Sequence, residues 1–201
     1  MTTVSGLPTP TAYEHLFTEA HTVSAFDGPP VTDAQLQQAY DLMKWGPTAM
    51  NITPLRVLVL RSAQARARLA LHMSEGNRNK TVAAPLTLVA ATDTRFHAHL
   101  PVLAPHRAEL AVTLEGAPER RESMAHKSGL IQVGYLIVAL RAAGLHVGPM
   151  GGFDAAGVDT EFFSGSGWRS LLVLNVGNAA APDGVRPRAA RLRFEDTYTE
   201  L

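Results

Sequence analysis

From Asp33 onward, Leu36, Ala39, Tyr40 and Met43 recur at intervals of three and four residues, which places apolar side chains on one face of a helix. Thr32 and Gln35 form a capping box ahead of it, and Gly46-Pro47 stops it, so the pattern predicts a helix over 33–45. Tyr13, Leu16 and Phe17 predict a shorter amphipathic helix over 11–19. The pattern then changes. Leu55 to Leu60 reads as a strand, Ser62 caps a helix expected at 63–73, and Ser74 to Lys80 is a polar stretch. Pro85 opens an unbroken apolar run, Leu86 to Ala91, which predicts a strand covered on both faces.

Residues 93–123 mix histidines, prolines and both signs of charge without a period, and are expected to form an excursion over a site, as mobile lids do. From 124 to 143, Leu130, Val133, Leu136, Ile137 and Leu140 line one side of a helix and small apolar residues fill most of the other; Gly144 terminates it. A helix apolar nearly all round belongs in a core or an oligomer interface. Ala155 to Phe163 predicts a short helix and Leu171 to Val176 a strand, while 177–201 is rich in proline, glycine and arginine and suits wrapping around a partner subunit. Strands separated by helices, with no linker, indicate one layered domain of α and β elements over 1–201.

Composition narrows the functional classes. The 201 residues carry 18 basic and 18 acidic side chains, without the positive footprint of a nucleic-acid binder. The chain has no cysteine, so disulfides, thiolate metal sites and cysteine nucleophiles drop out, and a reducing cytoplasm fits. The polar start, 1–10, is expected to be flexible and does not read as a signal peptide, and no run reaches the roughly 18–20 apolar residues of a membrane span.

Between the long helix and the next element lies His146-Val147-Gly148-Pro149-Met150-Gly151-Gly152-Phe153-Asp154, with three glycines and a proline in five positions. It reads either as a loop laying backbone amides against a flat cofactor or as a plain helix-to-strand turn. Asn77 and Lys80 stand three apart, on one face if their segment is helical. Among Arg186, Arg188, Arg191 and Arg193, one guanidinium suits a phosphate. His97, His99 and His106 lack carboxylates at ligand spacing, so no metal is expected. Gly165-Ser166-Gly167 matches neither a dinucleotide fingerprint nor a serine-hydrolase elbow.

Several short motifs occur together in order: Leu42-Met43-Lys44-Trp45-Gly46-Pro47-Thr48 with Asn51 and Pro54; Gly76-Asn77 with Lys80-Thr81 and Ala84-Pro85; Tyr135 to Ala139; Gly148-Pro149-Met150 with Gly152-Phe153-Asp154; and Phe162-Phe163 with Gly165-Ser166. In this combination the chain resembles the FMN-dependent nitroreductase family, and within it the branch holding the malonic semialdehyde reductase of uracil breakdown. The resemblance implies an α+β three-layer sandwich, a mainly antiparallel sheet flanked by helices, in an intertwined homodimer with FMN at the interface. It further implies NADH or NADPH as hydride donor and a small-molecule acceptor such as an aldehyde, a nitroaromatic or a quinone.

Carried over by position, the resemblance implies a phosphate site at His21, Thr22 and Ser24, with Arg191 from the tail. It places Pro47, Thr48 and Asn51 near the flavin of the other subunit. Asn77 and Lys80 would meet the pyrimidine edge, and Pro149, Met150, Gly151 and Gly152 would form the loop whose amide faces the reactive nitrogen. Ala20 and Ser24 stand where the family usually has basic residues, so weaker FMN binding than the family norm is expected.

Overall fold

The computed structural model describes residues 13–180 and 185–201; the flexible start expected at 1–10, and 181–184 of the tail, lie outside these. Five strands form the sheet: β1 (Phe26–Asp27), β2 (Leu55–Leu60), β3 (Leu86–Asp93), β4 (His146–Met150) and β5 (Trp168–Ala179). All named pairings are antiparallel. β5 lies at the centre, because Val173 to Val176 pair with β3 on one edge and β4 on the other.

The period-two alternation of the strands divides the interior into two cores. Leu86, Leu88 and Ala90 of β3, with Leu174 and Val176 of β5, face α1 (Asp33–Met43) and the long helix over Pro118–Ala142. Val89 and Ala91, with Val173, face the other side, where Leu69 of α2 (Ala63–Ala70) and Val158 of a helix beyond β4 pack. Every residue of β3 is buried, Thr87, Thr92 and Asp93 included, so both of its faces are covered. Each of its large side chains contributes roughly 1.5–3 kcal/mol by leaving water. The result is the α+β sandwich, helices on both faces of an antiparallel sheet.

α3 (Glu75–Ala83) lies where only a polar stretch was expected, because it buries just Thr81 and so shows no apolar face. Residues 94–117 fold into short turns around α4 (Leu100–Leu103) and α5 (Leu110–Glu115), collected on a small core of Ile52, Phe96, Leu100 and Leu114. α6 runs from Pro118 to Ala142, six residues earlier than expected, since its first two turns are polar and Pro118 supplies the preset first position. Gly144 ends it with φ +78°. α7 (Ala155–Phe162) matches expectation, and α8 (Phe194–Thr197) is a single turn in the tail. At the front, Glu14–Thr18 forms a π-helical turn with no buried residue in place of an amphipathic helix.

The segment 146–154 is neither a loop throughout nor a plain turn: its first five residues are strand β4. Glycine and proline there hid a strand from the composition. Gly148 is required by a close approach, as a Cβ would lie 2.2 Å from the Val23 carbonyl oxygen.

Candidate functional site

The close approach at Gly148 builds the site. Thr22 bridges Val147 in parallel, and the Val23 N–H donates to the Val147 carbonyl at 3.2 Å. Residues 22–24 thereby lie along the outer edge of β4. The tail crosses them in turn, with Val185 bridging Val23 antiparallel. The β4–β5 ladder ends at Met150, so Gly151 and Gly152 leave the sheet with their backbone exposed.

Two cavities share Thr22, Ser24 and Lys80 in their walls. The larger, about 520 Å³, is lined by His21, Arg141, Arg186, Arg188 and Arg191 among others. The smaller, about 290 Å³, is walled by Asn77, Gly148, Pro149, Met150, Gly151 and Asn175. The helical turn of α3 places Asn77 and Lys80 on one face, as the spacing of three requires. Nine predicted site residues therefore converge on these two adjoining cavities: His21, Thr22, Ser24, Asn77, Lys80, Pro149, Met150, Gly151 and Arg191.

Gly152 acts from behind that wall: its carbonyl accepts from Ser74 N at 3.0 Å, Ser74 Oγ at 2.8 Å and Asn77 Nδ2 at 3.1 Å. Pro47, Thr48 and Asn51 are not brought to the adjoining cavities of the same protomer. Asn51 lines a separate cavity of about 510 Å³ with Tyr40, Trp45, Arg56 and Leu103. Its neighbourhood is strained, for Met50, Asn51 and Thr53 have φ of 53°, 56° and 35°. Asn51 Nδ2 is held by the Leu103 carbonyl at 2.8 Å, and Thr48 Oγ1 accepts from Thr53 N at 3.3 Å.

Reading by pattern missed Asn175, Ser74 and Arg141, and left Arg188 as one of four candidate tail arginines. Buried Asn175, in the middle of β5, accepts from Thr87 Oγ1 at 2.8 Å and donates to the Lys80 carbonyl at 3.1 Å, so it ties the end of α3 to the sheet. A lone amide in the run Leu171–Val176 was the available signal. Ser74 was hidden in the polar stretch. Arg141, near the end of α6, donates to the Leu16 carbonyl at 3.0 Å, and Arg188 donates to the Ala20 carbonyl at 3.1 Å. The charge that positions 20 and 24 lack is thus supplied to the same cavity by α6 and the tail. Burial, then His15 and Arg141, push His146 beside them below its ordinary value.

The three candidate histidines scatter: His97 is buried against Glu115, His99 lies 4.0 Å from Asp93, and among the described residues no group of three or more His, Asp or Glu side chains is arranged to hold a metal.

The fold and the adjoining cavities define a class, and the comparisons agree with it. The chain belongs to the nitroreductase family, whose model matches residues 18–178. It is 50% identical over 190 residues, 94% of this chain and 96% of the other, to a Leptothrix cholodnii protein with the provisional name NADH dehydrogenase/NAD(P)H nitroreductase. A Streptomyces coelicolor protein with the same provisional name is 48% identical, over 90% of this chain and 89% of its own. Among solved structures, a nitroreductase-type protein of Exiguobacterium sibiricum in complex with FMN superposes with a TM-score of 0.80 at 18% identity, covering 98% of this chain and all of its own. A nitroreductase family protein of Streptococcus pneumoniae superposes at 0.77 and 19% identity, over 94% of this chain and all of its own.

Proposed function

We propose that this protein is an FMN-dependent NAD(P)H oxidoreductase that works as a homodimer in the cytoplasm. The observation that carries the reading is that a cation-lined cavity shares Thr22, Ser24 and Lys80 with a second one walled by Pro149, Met150 and the exposed backbone of Gly151. A phosphate tail suits the first and a flat ring the second. Bound there, FMN supplies hydride transfer at its N5 atom. The residues supply binding and orientation. Lys80 puts a positive charge at the ring edge where reduction builds negative charge. Asn77 fixes the same edge. The amide of Gly151, with no Cβ beside it, would be free to meet the bound ring without adding side-chain bulk there. No side chain need act as nucleophile.

NADH or NADPH and the acceptor would use the same site in turn, and ping-pong kinetics are expected. We place the acceptor among small aldehydes resembling malonic semialdehyde, nitroaromatics and quinones. The excursion, confined in the fold to residues 94–117, selects between them as a lid.

The dimer reading rests on exposed apolar side chains that a lone protomer leaves in water. Leu130, Ile131 and Tyr135 of α6 and Tyr40, Leu42 and Trp45 around the end of α1 are all exposed, Trp45 by 79%. The tail, exposed at Leu192, Phe194 and Tyr198, wraps the second subunit, and Pro47, Thr48 and Asn51 then reach its flavin. A degenerate, non-catalytic flavin binder is the rival, motivated by Ala20 and Ser24; Arg141, Arg186 and Arg188 around the cavity weigh against it. A visible spectrum of the purified protein with added FMN, followed by NAD(P)H, tests the reading. Bound flavin should bleach and recover when an acceptor is added. Failure to take up FMN at saturation would overturn the proposal, and bleaching too slow for turnover would favour the rival.

A further inference from the structure

Along most of its length α6 packs on the sheet through apolar side chains, with Val133, Leu136 and Leu140 in one core with Leu86, Leu88 and Ala90. At its first turns both sides of that contact become polar. Thr92 of β3 and Arg169 of β5 are cross-strand partners, so their side chains share one face of the sheet. Thr92 lies on the α6 side, for a Cβ at Gly129 of that helix would stand 3.2 Å from Thr92 Oγ1. His126 and Lys127 of α6, three and four residues after Ser123, share a helical face with it. Between this face and the sheet is a cavity of about 320 Å³, which Thr94 and Glu122 also line. None of these residues lines either of the two cavities assigned to the cofactor. Ser123, His126 and Lys127 are exposed, so the cavity opens on their side, one turn before the apolar Leu130 and Ile131.

The lining is unfinished in two ways. Thr92 is only 2% exposed, yet its hydroxyl has no hydrogen-bond partner. A buried polar group left unpaired is uncommon and points to something that completes it. Thr94 beside it is satisfied, since its hydroxyl donates to the Gly167 carbonyl at 2.8 Å. The charges are unmatched as well. Lys127 and Arg169 form no ion pair among the described residues, whereas Arg56, Arg61, Arg68 and Arg121 each hold a carboxylate. Arg169 gives an N–H to the Trp168 carbonyl at 3.0 Å and keeps its other donors. We propose that this cavity binds a small monocarboxylate, its charge held by the Arg169 guanidinium and the Lys127 ammonium, with the Thr92 hydroxyl donating from the floor. Of the permanent charges in the wall, two cations against the one carboxylate of Glu122 leave a single positive charge, which matches a monoanion and not a phosphate dianion. The volume stands at the lower end of the range for small-molecule sites, roughly 300–1,000 Å³, and suits an acid of a few carbon atoms.

The test titrates full-length protein, flavin-free and loaded with FMN, with sodium propionate while sodium chloride holds the ionic strength constant. Calorimetry and thermal unfolding report binding. We expect saturable, millimolar binding at one site per chain, the same in both forms. Arg169→Gln should weaken it at least about tenfold, and Lys127→Gln about three- to tenfold. Thr92→Val should weaken it about tenfold, while the ligand-free variant stays at least as stable as the wild type, because a methyl replaces a hydroxyl that had no partner. A hydroxyl with a purely structural role gives the reverse, lower stability with unchanged binding, and that result overturns the proposal. So does a wild type that propionate neither saturates nor protects, and so does binding that survives both Arg169→Gln and Thr92→Val. Binding confined to the flavin-free form would mean propionate in the cofactor cavity and overturns it equally. If circular dichroism shows Arg169→Gln unfolded, Thr92→Val and Lys127→Gln decide. The site does not rest on the flavin reading: if no FMN is taken up, the flavin-free titration of the wild type and the same variants decides alone.

Discussion

Ser74 holds the carbonyl of Gly152 with two atoms at once, its backbone N–H at 3.0 Å and its hydroxyl at 2.8 Å. Ser74 is the N-cap of α3, yet its hydroxyl makes no capping bond to that helix. A capping bond of this kind is typically worth about 1 kcal/mol. The hydroxyl is turned outward instead, accepting from Asn77 Nδ2 at 3.1 Å while donating to the loop. Gly152 is committed in return, since a Cβ there would lie 2.6 Å from Ser74 Oγ. The loop that presents the Gly151 amide is therefore oriented from α3. Ser74→Ala should lower stability by about 1 kcal/mol in urea unfolding. It should also slow flavin reduction by NAD(P)H roughly three- to tenfold through lost orientation, while FMN affinity changes by less than about twofold. An unchanged reduction rate in a folded variant would break the link between this clamp and the chemistry.

The contact between Gly148 and Val23 makes a sharper demand. A methyl at 148 would meet the Val23 carbonyl oxygen at 2.2 Å, and Val23 is tied to β4 on that same edge. Neither side has a flexible end to move. Gly148→Ala should push the 22–24 segment off the sheet edge, with a loss of about 1–3 kcal/mol by overpacking. The wall shared by both cavities would go with it. Thermal unfolding and FMN titration check this together; a variant with wild-type stability and affinity would mean the segment is not anchored as described.

Asn175 joins two requirements in one side chain, since it satisfies Thr87 Oγ1 and the Lys80 carbonyl. Asn175→Leu should leave buried Thr87 Oγ1 without a partner, at a cost of about 1–3 kcal/mol, while the Lys80 carbonyl keeps only the Ala84 N–H at 3.1 Å. Adding Thr87→Val removes the orphaned hydroxyl and should recover part of the stability. FMN affinity should stay low in the double variant, because the end of α3 that carries Lys80 is still loose. Full recovery of affinity would show that Asn175 serves the core alone.

How much of this was legible beforehand follows from where the signal lies. α1 was readable because it repeats its apolar positions with a helical period, and Thr32 with Gln35 marked a start that the structure keeps in both halves of its capping box; β2 and β3 were readable from their apolar runs. α3 and the first turns of α6 were not, because they bury almost nothing and are held by contacts made elsewhere. β4 was masked because Gly148 and Pro149, ordinarily breakers, are accommodated at a strand whose outer edge is bridged through Thr22 and Val23. The resemblance marked the site residues that meet in space, but Arg141 and Arg188 carry no motif. Only the folded chain shows that a helix end and a tail reach the cavity beside Ala20.

Glu161 links α7 to α2 through two partners, with its carboxylate against His72 and against Arg68 Nε at 2.7 Å. The brace lies directly behind the site loop, because the His72 carbonyl accepts from Asp154 N at 2.7 Å. The hydrogen bond from His72, and then that from Arg68, hold the Glu161 carboxyl below its usual value of 4.5. In the unfolded chain those partners are lost and the group titrates in the ordinary range, near pH 4.3. The folded state thus binds this proton more weakly than the unfolded state. The contribution of Glu161 is complete above the unfolded value and disappears as pH falls through the lower folded one. Glu161→Gln should therefore be less stable than the wild type near neutral pH, and the gap should close as the medium is acidified below about pH 4.3. Urea midpoints measured from pH 7 to 3 check this. A gap that stays constant to the acid end would show that the carboxylate's charge is not what braces the loop.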